Sequence, residues 1–393
     1  MTLCLFCDQT LNAKTRPEHI LLNALGGRKT SRLLICSGCN EWFGSTIDRD
    51  LALSVADIRN LLGHRSGGGN PAPAISYSTA LGTVKLSGEG RPTLTHKPFE
   101  LERGEGGLNI SIHANNREEL ARTIKNLAAH IGCSPEYLLA AFRAGTGQEF
   151  HETYIRPPSR RGQLSFGSVD ALRSIVKACL ELLALAIGND FVRSEMFARA
   201  RHFVIGAEAD FNVRAIDLDS RELPREGALR QRFGPAFHLI SITSERGGRA
   251  IGYFRMYGSV AWTITLGTGD EMPEVATSLV CDPVAERWSV VDPDARLPLQ
   301  WLERPEFDAQ RVTKAFNEVM KVAQYRAMER ETDRIVRSEF GRHGIVDDEV
   351  VEDEAIKESV FREIIARVSS IVANTPYSRP LDWAEVHKIM NED

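Results

Sequence analysis

The sequence predicts an α+β protein in three parts. A small cysteine-stapled N-terminal module (1–65) is joined by a Gly/Pro linker (66–74) to a larger α+β region (75–393). That region carries an antiparallel sheet and C-terminal helices, with a further division near 206. Three observations predict this. Four of the seven cysteines fall in the first 39 residues as two Cys-x2-Cys pairs. The run Ser66-Gly67-Gly68-Gly69-Asn70-Pro71-Ala72-Pro73 interrupts every periodic pattern. Finally, β-branched and aromatic runs with glycine turns fill 237 to 291, and helical periodicity follows them.

In order, the module ends in one amphipathic helix, with Trp42, Phe43, Ile47, Leu51, Val55, Ile58, Leu61 and Leu62 at spacings of three and four and Gly63 as its stop. Strands are expected at 75–86 and 108–113. A helix follows with Asn116 as N-cap and Glu119 three residues on. Ser134-Pro135-Glu136 opens another. A long helix spans 168–187, apolar nearly all round except for a stripe of Arg173, Lys177 and Glu181, which places it mid-domain. Strands at 237–243, 250–257, 259–266, 276–281 and 288–291 read as an antiparallel meander. Helices close the chain at about 307–338 and 349–373, on either side of an acidic patch, Asp347 to Glu354.

With 393 residues there is material for two or three cores, and 42% apolar with 26% charged residues excludes wholesale disorder. The net charge of −5 excludes a protein coated in positive charge, so any nucleic-acid contact has to be local. The N-terminus lacks a basic segment followed by an apolar run, and the most apolar stretch, Ile175–Ile187, is interrupted by Lys177 and Glu181. A cytoplasmic protein without a membrane span is expected. In such a compartment the cysteine pairs favour metal over disulfide, while Cys179 and Cys281 read as core residues.

The pairs Cys4/Cys7 and Cys36/Cys39 are 28 residues apart and can present four thiolates to one Zn²⁺. Such a structural ion contributes about 10–16 kcal/mol to a module too small to hold a core alone. Between and after the pairs lie Glu18-His19-Ile20 and Asn40. Cys36-Ser37-Gly38-Cys39-Asn40-Glu41-Trp42-Phe43-Gly44, taken with Glu18-His19, resembles the HNH or ββα-metal endonucleases, specifically the zinc-stapled branch ending in CxxCN-x3-G. The resemblance covers residues 4 to 48. It implies a ββα-metal module acting on DNA, with His19 as general base and Glu18 and Asn40 as ligands of a catalytic Mg²⁺ or Mn²⁺.

The chemistry agrees with those roles. Phosphodiester hydrolysis needs a water deprotonated opposite the leaving oxygen, which suits a near-neutral imidazole worth about 10²–10⁴ in rate. Carboxylate and amide oxygens are hard ligands for such a cation. Adjacent strand residues point to opposite faces, so Glu18 and His19 require a strand end or a bulge. The sequence departs from the family twice: Glu stands where Asp is usual, and the middle Asn position is Ser31. Ser31 or Asn23 is left to orient His19.

Lys14, Arg16, Arg28, Lys29 and Arg32 flank the pair and are the expected phosphate contacts, with Gly26-Gly27 letting backbone approach DNA. Arg156, Arg160 and Arg161 form a second basic cluster, read as surface charge. The other histidines lack a comparable setting. The whole reads as a regulated endonuclease effector in microbial (antiviral) defence or DNA processing, with 75–393 binding a regulatory protein or small-molecule trigger, or forming a homodimer. The alternative is a catalytically degenerate zinc module that binds DNA or docks a partner.

Overall fold

A computed structural model describes residues 2–80, 82–104, 107–144, 150–154, 167–285, 287–289, 295–345, 351–373 and 375–391. The chain divides into two compact units. One comprises 1–75, 87–90 and 162–326, the other 76–86, 91–161 and 327–393. No helix among the described residues is long and apolar enough to cross a membrane. The basic cluster at 156–161 and half of the acidic patch, 347–350, lie outside the described residues.

In the first unit, β1 (Glu18–His19) pairs antiparallel with β2 (Thr30–Ser31), Glu18 opposite Ser31 and His19 opposite Thr30. The single amphipathic helix expected next is instead three short ones: α1 (Ser37–Ser45), α2 (Ile47–Ser54) and α3 (Ala56–Leu62). Most of the stripe is as expected, since Phe43, Ile47, Leu51, Val55, Ile58 and Leu62 are buried, while Leu61 is half-buried and Trp42 is exposed. Continuity fails at two hydroxyl-bearing junctions. Ser45 and Thr46 both donate to the carbonyl of Trp42, at 2.9 and 2.7 Å, and Ser54 donates to that of Leu51 at 2.7 Å. Such side chains offer the backbone an alternative to the helical ladder. Gly63 ends α3 in the left-handed region, φ 63°.

Six strands form the central antiparallel sheet, in the spatial order 287–289, 275–282, 238–244, 249–256, 260–268, 216–219. The strand positions match the expected meander, but the pairing does not. Strand 275–282 returns beside 238–244, with Leu239 opposite Val280, which leaves 260–268 to pair with 216–219. Strand 238–244 is buried at nearly every position and so belongs in the middle of the sheet. Helix Val169–Ile187 covers one face, its Cys179 so close to Gly252 that a β-carbon there would lie 3.0 Å from the sulfur. Leu223, Phe233, Phe237, Tyr253 and Leu302 fill the other face.

The first 65 residues share one apolar core with helix 169–187 and this sheet. The segment read as a flexible linker is pinned: Gly67 and Gly68 donate to the carbonyl and Oδ1 of Asn23 at 2.9 and 3.0 Å. A β-carbon at Gly67 would fall 1.8 Å from the Gly27 carbonyl oxygen, so the glycine serves close packing rather than freedom. The stretch near 206 lies inside the first unit.

In the second unit, hairpins 82–88/92–95 and 99–104/107–112 precede helices Arg117–Ile131 and Pro135–Ala144. Asn116 caps the first of these by accepting from Glu119 N–H at 2.8 Å, and Gly132 closes it at φ 86°. Strand 150–154 pairs with 377–381, a contact without a local sequence signal. The helices of the C-terminal part run Ala309–Arg342, of which 327–342 belong to this unit, Glu354–Ala373 and Trp383–Asn391. Ile124, Leu127, Ala128, Leu138 and Ile389 form the core of this unit.

Candidate functional site

The four N-terminal cysteines converge. Their sulfurs all lie within 4.8 Å of one another, with Cys7 3.6 Å from both Cys36 and Cys39. For a zinc–sulfur bond of about 2.3 Å a tetrahedron has edges of roughly 3.8 Å, so the donor set and spacing fit zinc. Cys36 is the N-cap of α1 and accepts from Cys39 N–H at 3.4 Å, while its own N–H donates to Cys4 Sγ at 3.3 Å. The helix start therefore faces the sulfurs with its positive end. The hydrogen bond with Cys39 holds the Cys4 thiol down at about 5, against the opposing push of burial. The same bond pushes Cys39 up. Deprotonation of the remaining thiols accompanies metal binding.

The sheet body clamps this cluster. Arg193 donates to the carbonyls of Cys4 and Cys7, the latter at 2.6 Å, and pairs with Asp8 at 2.7 Å. Asn189 Nδ2 donates to the carbonyls of Leu3 and Leu34, each at 2.9 Å.

Beside the cluster, Asn40 in the first turn of α1 donates from Nδ2 to the carbonyl of Pro17 at 3.4 Å. This ties α1 to the residue before Glu18, at the corner where β1 begins. As strand alternation requires, Glu18 and His19 take different surroundings. Glu18 turns inward, 6% exposed, with Oε1 2.6 Å from Lys177 Nζ on helix 169–187. His19 is half-buried, and its Nδ1 is buried without a hydrogen-bond partner among the described residues. Burial, followed by the charge of Lys177, lowers the His19 pKa below its ordinary value. The imidazole is therefore neutral and able to accept a proton at neutral pH.

Lys177 was legible only as part of a polar stripe. It contacts Asp48 Oδ2 at 2.8 Å and Glu181 Oε1 at 3.8 Å, and Ser174 donates to the other Asp48 oxygen at 2.5 Å. Its ammonium also lies 5.5 Å from the centre of the Phe43 ring. Burial alone would lower the Lys177 pKa; Asp48, Glu181 and Glu18 outweigh it and hold the ammonium charged. For Glu18 burial dominates and raises the carboxyl against the pull of Lys177. Burial raises Glu181 well above the usual range, and neither of its oxygens has a hydrogen-bond partner among the described residues. The available signal was charge at i and i+4 on an otherwise apolar helix, together with Asp48 on the buried side of α2.

The oxygen donors for a hard cation are thus few. The hydrogen bond of Asn40 uses its nitrogen and leaves Oδ1, the atom a cation takes, uncommitted among the described residues. Glu18 has one oxygen on Lys177. The four cysteines are the only described group of three or more His, Cys, Asp or Glu side chains with converging ligand atoms. The corner thus offers Asn40 Oδ1 and a Glu18 carboxyl group already engaged by Lys177.

Neither substitute for the middle Asn reaches His19. Ser31 lies across from Glu18 and accepts from Leu33 N–H at 3.1 Å, and Asn23 is occupied with the turn at 66–70. Gly26 and Gly27 are buried, and a β-carbon at Gly27 would meet the Leu21 carbonyl at 1.8 Å. They permit packing within the chain rather than approach to DNA. Of the basic residues, Lys14, Arg16 and Arg32 are exposed, while Arg28 and Lys29 are half-buried. Arg32 donates to the Thr15 carbonyl at 2.5 Å, which fixes the strand leading to Glu18.

Residues 4–54 match the model of a family described as HNH endonuclease. No curated protein and no solved structure matches the chain. The matched segment contains both cysteine pairs, Glu18, His19, Asn40 and Asp48, and it supports a nuclease, that is, a hydrolase, over this short stretch.

Proposed function

We propose that this protein is a metal-dependent DNA endonuclease of the cytoplasm. His19 acts as general base, Glu18 and Asn40 hold a divalent Mg²⁺ or Mn²⁺, and Cys4, Cys7, Cys36 and Cys39 hold a structural Zn²⁺. The observation that supports this reading is the hydrogen bond from Asn40 to the Pro17 carbonyl, which ties the helix that follows the second cysteine pair to the residue before Glu18 within the family-matched segment.

His19, neutral at working pH, takes the proton of the attacking water. A divalent ion at the corner would stabilise the charge that develops on the phosphate and on the leaving oxygen. Lys14, Arg16, Arg28, Lys29 and Arg32 hold the DNA backbone and make binding salt-dependent. The remainder of the chain directs or restrains cutting through a regulatory protein, a small-molecule trigger or a homodimer, in microbial defence or DNA processing.

Plasmid nicking by the zinc-loaded full chain in Mg²⁺ or Mn²⁺ tests this. Nicks that fall by about 10²–10⁴ in His19→Ala are expected. Equal cutting by both proteins sinks the role of His19. One observation favours a second reading: the burial of Glu18 on Lys177 suits a degenerate module that only binds DNA or docks a partner. Salt-dependent DNA binding with no cleavage under either metal would select it.

A further inference from the structure

Lys177 contacts three carboxyl groups, those of Glu18, Asp48 and Glu181, and all four side chains are buried. Its three contacts are unequal. Asp48 is fixed from its far side by Ser174, and Glu18 is held at 2.6 Å. Glu181, one helical turn along on the same helix, waits at 3.8 Å with both oxygens lacking a hydrogen-bond partner among the described residues. An ammonium on a four-carbon stem has three donors and can exchange one acceptor for another with a small rotation. If Glu18 were withdrawn, Lys177 would keep Asp48 and turn to Glu181 without leaving an unpaired charge.

We propose that Lys177 is an internal counter-cation of the nuclease corner. It occupies Glu18 while no divalent ion is bound and passes to Glu181 when Glu18 turns to a metal. The helix of the sheet body thereby sets how readily the corner loads. This rests on the reading of Glu18 as a metal ligand. A purely structural lysine would support metal binding by keeping Glu18 in place, whereas a counter-cation opposes it. The two roles predict opposite signs for one measurement.

The experiment is Mn²⁺ binding to the zinc-loaded full chain, read as the loss of the free Mn²⁺ electron paramagnetic resonance signal. It compares wild type, Lys177→Met, Glu18→Gln and the double variant, with zinc content and circular dichroism as checks on folding. Lys177→Met should bind Mn²⁺ at least about tenfold tighter than wild type, and Glu18→Gln should cancel that gain. Equal or weaker binding by folded Lys177→Met overturns the counter-cation role and leaves the nuclease reading standing. Unchanged binding in Glu18→Gln overturns the Glu18 ligand assignment, and the inference falls with it. Should Lys177→Met not fold, wild-type protein labelled with ¹⁵N at lysine Nζ gives a second readout. Saturating Mg²⁺ should move the Lys177 ammonium resonance, and a fixed resonance overturns the proposal.

Discussion

Two buried ion clusters sit in the two units, and they are built on different plans. In the first unit one lysine serves three carboxyl groups. In the second, Glu152, Glu339, Glu363 and Glu385 meet Arg117, Arg342, Arg367 and Arg379. Arg367 binds Glu339 and Glu363, each at 2.9 Å, and Arg379 binds Glu152 and Glu385, each at 3.0 Å. Planar guanidinium forks match carboxylates in number and geometry there and tie six separate elements together, five of which line a cleft of about 310 Å³. A matched network of this kind is a fastener. The cluster around Lys177 has more acceptors than its cation can serve at close range, and two of its carboxyl groups, Glu18 and Asp48, lie within the family-matched segment. The contrast teaches where to look for chemistry: at the mismatched cluster, rather than at the one richest in charge.

The comparison can be broken most forcefully by removing zinc. Chelation should unfold the cysteine-stapled segment, a loss of about 10–16 kcal/mol of linked free energy. Hydrogen exchange should then rise across 4–62 while helices 354–373 and 383–391 keep their protection. Equal loss in both units would mean that their stabilities are not separable.

A smaller effect is expected from Arg367→Leu, which leaves Glu339 and Glu363 facing each other without their shared partner. Breaking a buried pair from one side costs about 3–5 kcal/mol. Thermal unfolding should record that cost while Mn²⁺ binding at the other cluster stays as in wild type. A change in metal affinity would contradict the view of the arginine cluster as a fastener alone.

The finest test is pH. In the first unit, burial pushes His64 down to about 3, and His238, fully buried, is also held well below its ordinary value. The Tyr257 hydroxyl lies 3.5 Å from His64, and His238 accepts from the Tyr257 N–H at 3.4 Å. Both rings are neutral in the fold, whereas an unfolded histidine takes a proton below about 6.5. Their contribution is complete above that pH and is lost as pH falls from there towards 3. Glu339 has the opposite sign, because burial pushes it up to about 7. It stays protonated in the fold where the unfolded side chain has already ionised. Its contribution is therefore complete below about 4.5 and lost as pH rises towards 7. Acidification from 7 to 5 should weaken helix 169–187 and the sheet, and it should weaken the second unit less, by on the order of a kcal/mol as read by site-resolved exchange. Parallel weakening of both would refute the assignment of the two shifts.

Much of this could be read from the sequence where the signal was local. The two Cys-x2-Cys pairs, the Asn116 cap, the Gly63 and Gly132 stops and the bounds of the sheet strands each depend on residues within one turn or one strand. What escaped depends on partners far along the chain. Nothing in the composition of strand 275–282 says that it lies beside 238–244 rather than 260–268, because both choices bury the same side chains. Gly67 looked like a linker glycine because the residues that crowd it, Asn23 and Gly27, are 40 or more positions away. Lys177 looked like one face of a helix, although its defining contacts are 159 and 129 positions distant. The module helix is the converse case. Its apolar period was right, and hydroxyl side chains at Ser45, Thr46 and Ser54 broke it locally.

Those long separations bear on the order in which the protein is made. The Glu18–His19 corner leaves the ribosome well before Lys177, Asn189, Arg193 and Cys281, which fasten it. Cys281 donates to the Gly26 carbonyl across 255 positions. At about 5–20 residues per second, the segment spends on the order of ten seconds or more without its fasteners. The segment that carries the motif is completed only by residues translated after it, and a chain cut short of them would carry the motif without the corner.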